Sequence, residues 1–198
     1  PYDSLDAGRV TNLSVEKTAE ALKEVLNQSR ADIASGAFSI PVQSSLIFTI
    51  ELPVTVKENE MATVISTEAR KYIPVPITEV SLDYFILPPK EDSFEEMNTN
   101  NSKTPPKTAE KTNVLVVATQ NSAISKYRSI VSLCSLTASF FEIEIFSSVR
   151  ANFEHELSPV LLMDFGASRT KLSIVEFGMV KNYHTIERGG ADITDSIS

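Results

Sequence analysis

An α/β fold is predicted by two observations. Apolar residues along the chain shift repeatedly between helical spacing and strict alternation. From Pro159 onward the order is strand, turn, strand, turn, strand, glycine pair, helix start. Ser14 is placed to cap a first helix, with Glu16 in its first turn and Val15, Ala19, Leu22 and Leu26 on one face, running to about Gln28. A strand around Ala37 to Val42 follows, then Leu46, Phe48, Ile50 and Leu52 alternate in another that Pro53 ends. Lys57 to Tyr72 reads as a second helix with Met61, Val64, Ile65, Ala69 and Tyr72 at helical spacing, and Met61 and Tyr72 are expected in the core. Pro74 and Pro76 hold the exit extended. Val80, Leu82, Tyr84 and Ile86 make a half-buried strand, and Asn113 to Thr119 another. Between them, residues 88–112 are nearly all Pro, Lys, Glu, Asn, Ser and Thr; too apolar-poor to offset ordering entropy, they read as a mobile hairpin tip. Ser122 to about Ala138 is expected as a helix, Phe140 to Phe146 as a strand with Glu142 and Glu144 on one face, at a solvated edge or, second to it, the interdomain cleft, and a short helix then runs to Leu157.

The last segment carries chemistry. Val160 to Met163 delivers Asp164, on a strand expected to be buried, to a turn of Gly166, Ala167 and Ser168. Thr170 to Glu176 follows with Leu172 and Ile174 inward, Phe177-Gly178 reverses the chain, and Met179 to Ile186 is the third strand. Small residues at 166–168 let backbone amides approach a polyphosphate, and Asp164 suits a hydrated magnesium ion. Gly189-Gly190 opens a helix at Ala191 whose free amides suit negative charge. Arg169 is either a phosphate contact or an exposed turn cation, Lys171 an outward, solvated side chain, and Asp192 and Asp195 partners of the helix dipole. Asp-Phe-Gly also occurs in protein kinases, but no glycine-rich loop, strand lysine or His-Arg-Asp precedes it.

Composition bounds the rest. The chain of 198 residues, 42% hydrophobic and 22% charged, is long enough for one or two compact units. A net charge of −8 with scattered Lys and Arg argues against a nucleic-acid surface. Cys134 is alone and sits beside Leu133 and Leu136, which predicts a buried thiol. His155 and His184 are too few for a metal cluster. No apolar run reaches the roughly 18 residues that span a bilayer, and the chain does not begin with a basic-then-apolar signal, so a cytoplasmic location is expected.

Asp164-Phe-Gly-Ala-Ser-Arg-Thr resembles the second phosphate motif of the actin, Hsp70 and sugar-kinase superfamily, and Gly189-Gly190-Ala-Asp-Ile-Thr is similar to the glycine pair that follows it there. Glu68-Ala-Arg-Lys-Tyr-Ile-Pro-Val-Pro-Ile-Thr-Glu-Val-Ser-Leu-Asp-Tyr, with Asn113-Val-Leu-Val-Val-Ala-Thr, resembles the inserted subdomain of the FtsA/PilM family. The resemblance implies an actin-like ATPase (ribonuclease H-like) fold with a 1C insertion. Residues 1–43 would be part of subdomain 1A, 44–135 the insertion, 136–157 a return to 1A, and 158–198 the start of 2A. It also implies a partial chain, because a first Asp-x-Gly loop before Asp6-Ala-Gly-Arg-Val and the later adenosine motifs are not in it.

The function implied by resemblance is a cytoplasmic scaffold of type IV pilus assembly, peripheral to the inner face of the cytoplasmic membrane. It would bind ATP and Mg²⁺ through Asp164, Gly166, Ala167, Ser168, Arg169, Thr170, Gly189 and Gly190, with Asp164 reaching the metal through water. Its partners would be the N-terminal cytoplasmic peptide of a PilN-like membrane protein, other pilus assembly proteins and, possible in this family, further copies of itself. No nucleophile or general base is assigned, so nucleotide hydrolysis stays open. An FtsA-like division scaffold and a small-molecule kinase on the same core are the alternatives. The Tyr72-Ile-Pro-Val-Pro insertion favours a protein-binding module over a sugar pocket.

Overall fold

The computed structural model describes residues 2–6, 9–87, 111–153 and 158–197. They form two compact units, Pro1–Leu46 with Thr119–Ser198, and Ile47–Ala118. The expected 88–112 hairpin tip lies outside the described residues as far as residue 110, and Lys111 and Thr112 already belong to a strand. The segment to Leu157 lies outside them from residue 154, and His155 with it.

In the first unit, β1 (Tyr2–Asp6) and β2 (Arg9–Leu13) pair antiparallel. Helix α1 (Val15–Ser29) starts where expected: the Ser14 hydroxyl accepts from the Lys17 amide, and Arg30 ends the helix in the left-handed region at φ 51°. Ala19 is buried with Ile130 and Cys134, and Val15 and Leu22 pack around them; the Cys134 thiol donates to the Ala19 carbonyl at 3.5 Å. Strand β3 (Ser35–Ile40) pairs in parallel with β7 (Thr137–Ile143), and α3 (Asn121–Leu133) lies against α1 and both strands.

Two boundaries differ most from the sequence expectation. Helix α3 stops at Leu133, not Ala138, because Ser135 turns left-handed at φ 56° and the Leu136 amide closes on the Val131 carbonyl. Thr137 then donates to the Ala34 carbonyl and enters the sheet beside β3. Strand β7 ends at Ile143, and Glu144, Ile145 and Phe146 are helical in α4 (Glu144–Asn152), which buries Ile145 and Val149 one turn apart. Glu142 and Glu144 therefore do not share a strand face. Glu142 takes both Arg150 guanidinium nitrogens, with Nη2 at 2.6 Å, and the Ser147 hydroxyl at 2.7 Å, while Arg150 also lies over the Phe140 ring.

The Arg150 hydrogen bonds hold the Glu142 carboxyl below the usual glutamate range, against the opposing effect of burial and with help from Ser147. A carboxyl depressed by folding stabilises above its unfolded pKa and loses that contribution as pH falls through its folded pKa. The melting advantage of the wild type over Glu142→Gln is therefore expected to be full at neutral pH and to shrink as pH falls below the ordinary glutamate value of about 4. An advantage that persists unchanged at pH 3 overturns this assignment.

The remaining sheet of the first unit is an antiparallel meander, β8 (Val160–Phe165), β9 (Thr170–Glu176) and β10 (Met179–Ile186), in the order β10-β9-β8. Phe177 at φ 52° and Gly178 at φ 71° make its second turn, a mirror-image two-residue turn matched to strand twist. The faces are opposite to those expected for β9. Val175 and Ser173 are buried, whereas Ile174 is 45% exposed, and cross-strand pairing puts Val160, Leu162 and Asp164 on the buried side with Lys171. Leu161, Met163 and Phe165 are left exposed on the other side, so Asp164 does not end a buried strand. The covered face lies toward α4, which packs on β10. Helix α5 (Gly190–Ile197) follows.

In the second unit, β4 (Ser45–Pro53), α2 (Glu58–Ala69), β5 (Val80–Ile86) and β6 (Lys111–Gln120) form a sheet in the order β4-β6-β5 with one helix. Ile50, Leu52, Met61, Ile65, Ala69, Val114 and Val116 are buried there. Tyr72 lies beyond the helix end and is half exposed, stacked on Phe48 at 4.9 Å, instead of in the core. The insertion expected over 44–135 contains this unit and also α3, which packs within the first.

Candidate functional site

The turn between β8 and β9 is closed by its own backbone. The Gly166 amide donates to the Arg169 carbonyl at 3.0 Å, and a Cβ at residue 166 would stand 3.0 Å from the same oxygen. Ala167 is exposed at the tip, with Ser168 half-buried beside it. The carbonyls of Gly166 and Ala167 accept from the amides of Gly190 and Ala191 at 2.9 and 2.8 Å, so the start of α5 is clasped to the turn. Contact this close requires residue 189 to be glycine: a Cβ there would overlap the Gly166 oxygen and stand 2.5 Å from that of Ala167.

The clasp changes the role expected of the glycine pair. The first amides of α5 are engaged: Gly189 donates to Asp192 Oδ2 at 2.8 Å, Gly190 and Ala191 to the turn, and Asp192 to the Gly189 carbonyl at 3.1 Å. They hold the loop in shape where free donors were expected. Asp192 serves the helix start as anticipated, taking Arg188 as well. Thr170 is buried and its hydroxyl donates to the Arg188 carbonyl at 2.8 Å. Arg169 pairs through Nε with Glu187 at 2.6 Å.

Beside the turn, three charged side chains from three elements converge. Lys171 Nζ lies 2.9 Å from Glu144 Oε1 and 3.2 Å from Asp164 Oδ2. Its side chain is only 18% exposed, in place of the solvated position expected, because it shares the covered face with Ser173 and Val175. Burial alone would pull the Lys171 ammonium down, but hydrogen bonds and charge from Glu144 and Asp164 outweigh it and hold it above the usual lysine range. Glu144 Oε1 also accepts from the Val42 amide at 2.9 Å. Burial, followed by the charge of Glu144, pushes the Tyr127 hydroxyl up. The sequence signal for this cluster was weak, since Glu144 and Lys171 are 27 positions apart and each reads as an ordinary surface charge.

Among the described residues no three His, Cys, Asp or Glu side chains form a metal cage. Magnesium asks for less, since it keeps several waters and takes one or two carboxylates plus phosphate oxygens. Asp164, 51% exposed, and Glu144 already converge on one cationic nitrogen, an arrangement that fits a hydrated magnesium held through Asp164. The Ile47–Ala118 unit has a separate concavity of about 350 Å³ between α2 and β5, lined by Ile65, Ser66, Val80, Leu82 and Tyr84 among others, beside the edge strand β5.

A glycine-clasped hairpin on an α/β frame, with a second and smaller α/β unit, defines the class of fold to which the chain belongs. A sequence model of the type IV pilus assembly protein PilM family matches residues 3–198, and the chain belongs to that family. A solved PilM-PilN type IV pilus biogenesis complex contains a chain of the same fold, 22% identical, with a TM-score of 0.75 over 100% of this chain. The cytoplasmic domain of EpsL, an inner membrane component of the type II secretion system of Vibrio cholerae, is similar over 85% of this chain at 13% identity and a TM-score of 0.54. This chain spans about half the length of each, 55% and 56%. The α/β fold of a PilM-family chain expected from the sequence is therefore the observed one.

Proposed function

We propose that this chain is part of a cytoplasmic, nucleotide-binding scaffold of type IV pilus assembly that takes the N-terminal cytoplasmic tail of a PilN-like membrane protein. Membership of the PilM family supports the pilus role, and the solved relative in complex with PilN supports the partner. The chain's own observation that carries the nucleotide reading is the turn Gly166–Thr170, clasped to α5 through the close approach that glycine at 189 permits, with Asp164 at the turn's edge. Subdomain 1A would hold residues 1–43 and 136–157, the insertion 44–135, and 2A the segment from 158.

In this reading the backbone of Gly166, Ala167 and Ser168 faces the phosphates, with Arg169 and Thr170 at the turn's end and Gly189 and Gly190 setting its shape. ATP would supply the phosphates and Mg²⁺ the charge that neutralises them. Asp164 would hold the metal through water, and Glu144 and Lys171 fix the charge around Asp164. No side chain is assigned as nucleophile or general base and hydrolysis stays open; control of conformation by bound nucleotide is the more economical role. A membrane location comes through the partner; among the described residues no helix is long and apolar enough to cross a membrane. An extended, partly apolar peptide suits a groove beside an edge strand, where side chains pack and the backbone pairs.

Calorimetric titration of the full chain with a peptide from the N-terminus of a PilN-like protein tests the scaffold role. Saturable binding by the cognate peptide and none by a scrambled one is the expected result. Equal or absent binding for both overturns it.

A further inference from the structure

We propose that Lys171 is a built-in counter-cation that a divalent ion must displace from Asp164, so that this lysine sets the metal affinity of the site. The inference rests on the magnesium reading above and concerns a residue that reading does not use as a ligand. Three observations carry it. Asp164 and Lys171 are direct cross-strand partners on β8 and β9, so both side chains project from the same face. The ammonium stands within 3.2 Å of both carboxylates, at the point where their negative potentials add. Asp164 is half exposed and open to an incoming ion, whereas Lys171 is largely covered.

Glu144 makes the exchange inexpensive. It is anchored by the Val42 amide at 2.9 Å, so when Asp164 turns to a metal, Lys171 keeps a carboxylate partner and is not left as an unpaired, covered charge. The cation already present has two consequences. Asp164 has a cationic partner even without metal. A hydrated divalent ion gains only the difference between its own attraction to Asp164 and that of the ammonium it replaces, and it also feels the remaining positive charge nearby. Nucleotide phosphates, which repel neither cation, would tip that balance.

The test follows Mn²⁺, a hard oxygen-seeking stand-in for magnesium, by paramagnetic broadening of the backbone signals of residues 163–172 in the full chain. Lys171→Met, which keeps most of the stem without the charge, is expected to broaden at an Mn²⁺ concentration on the order of tenfold lower than wild type. Lys171→Arg should behave as wild type, and Lys171→Gln, which retains a donor for Glu144, should show the same lowered concentration and replaces the methionine variant if that one fails to fold. Asp164→Asn should remove the broadening. Broadening that requires Asp164 but begins at the same concentration in wild type and the uncharged variants overturns the counter-cation role alone. Broadening that survives Asp164→Asn, or none in any protein, overturns the magnesium reading and this proposal with it.

Discussion

Gly189→Val is expected to lower the thermal midpoint by about 6–12 °C, corresponding to about 3 kcal/mol in a chain of this size. The reason is space, not backbone conformation. The new Cβ would overlap the carbonyl oxygen of Gly166 and crowd that of Ala167, both of them backbone atoms fixed in a closed turn. Relief requires α5 to move away, which breaks the Gly190 and Ala191 hydrogen bonds at 2.9 and 2.8 Å and leaves two turn carbonyls without those donors. Two controls separate this from a general intolerance of side chains. At Gly190 an added Cβ meets nothing closer than the Phe165 ring at 3.8 Å, so Gly190→Ala should melt close to wild type. At Gly178 there is open space but φ is +71°, so Gly178→Ala should cost about 1 kcal/mol from strain alone. Equal melting of the Gly189 and Gly190 variants would remove the clasp from the account of this site.

Leu52→Ala is expected to destabilise the chain by about 3 kcal/mol, measured by denaturant unfolding. Leu52 is 2% exposed and points from β4 into the core of the Ile47–Ala118 unit, where deletion of its branch leaves a cavity that the surrounding strands fill only in part. Its neighbour Glu51 faces solvent and pairs with Lys111 at 2.7 Å, both side chains more than half exposed. Glu51→Ala should therefore change stability by less than about 0.5 kcal/mol. The contrast between adjacent residues measures the alternation of the strand directly. Similar losses from both would mean that β4 is not buried on one face.

Where local chemistry decides structure, the sequence was legible. The bounds of β9 and β10 coincide with those expected because Phe177-Gly178 supplies the two left-handed residues that a tight hairpin needs, which fixes both strand ends. The Ser14 cap and the Ala19 face of α1 are equally local, and both are observed. Which face of β9 is buried was not legible, because an alternating strand satisfies either choice and the deciding partner, α4, lies elsewhere in the chain. The same helix hid the end of β7: Phe141, Ile143 and Ile145 alternate as a strand does, while Ile145 and Val149 repeat as a helix does, and the interactions of Glu144 with Val42 and Lys171 belong to the second pattern. In the site itself, the small residues of the turn were readable from their type. The spending of the α5 amides and the pairing of Lys171 depend on atoms brought together only by the folded chain.

The two backbone bonds between turn and helix also bear on motion. The leading amides of a helix ordinarily have no partner within it and exchange their protons with water readily. Here Gly190 and Ala191 are bonded to the turn between β8 and β9, so their exchange reports the opening of that loop. A fluctuation that frees the carbonyls of Gly166 and Ala167 must uncover both amides at once. The loop and the first turn of α5 therefore move as one body, on the slower timescale of local unfolding instead of that of an independent surface loop.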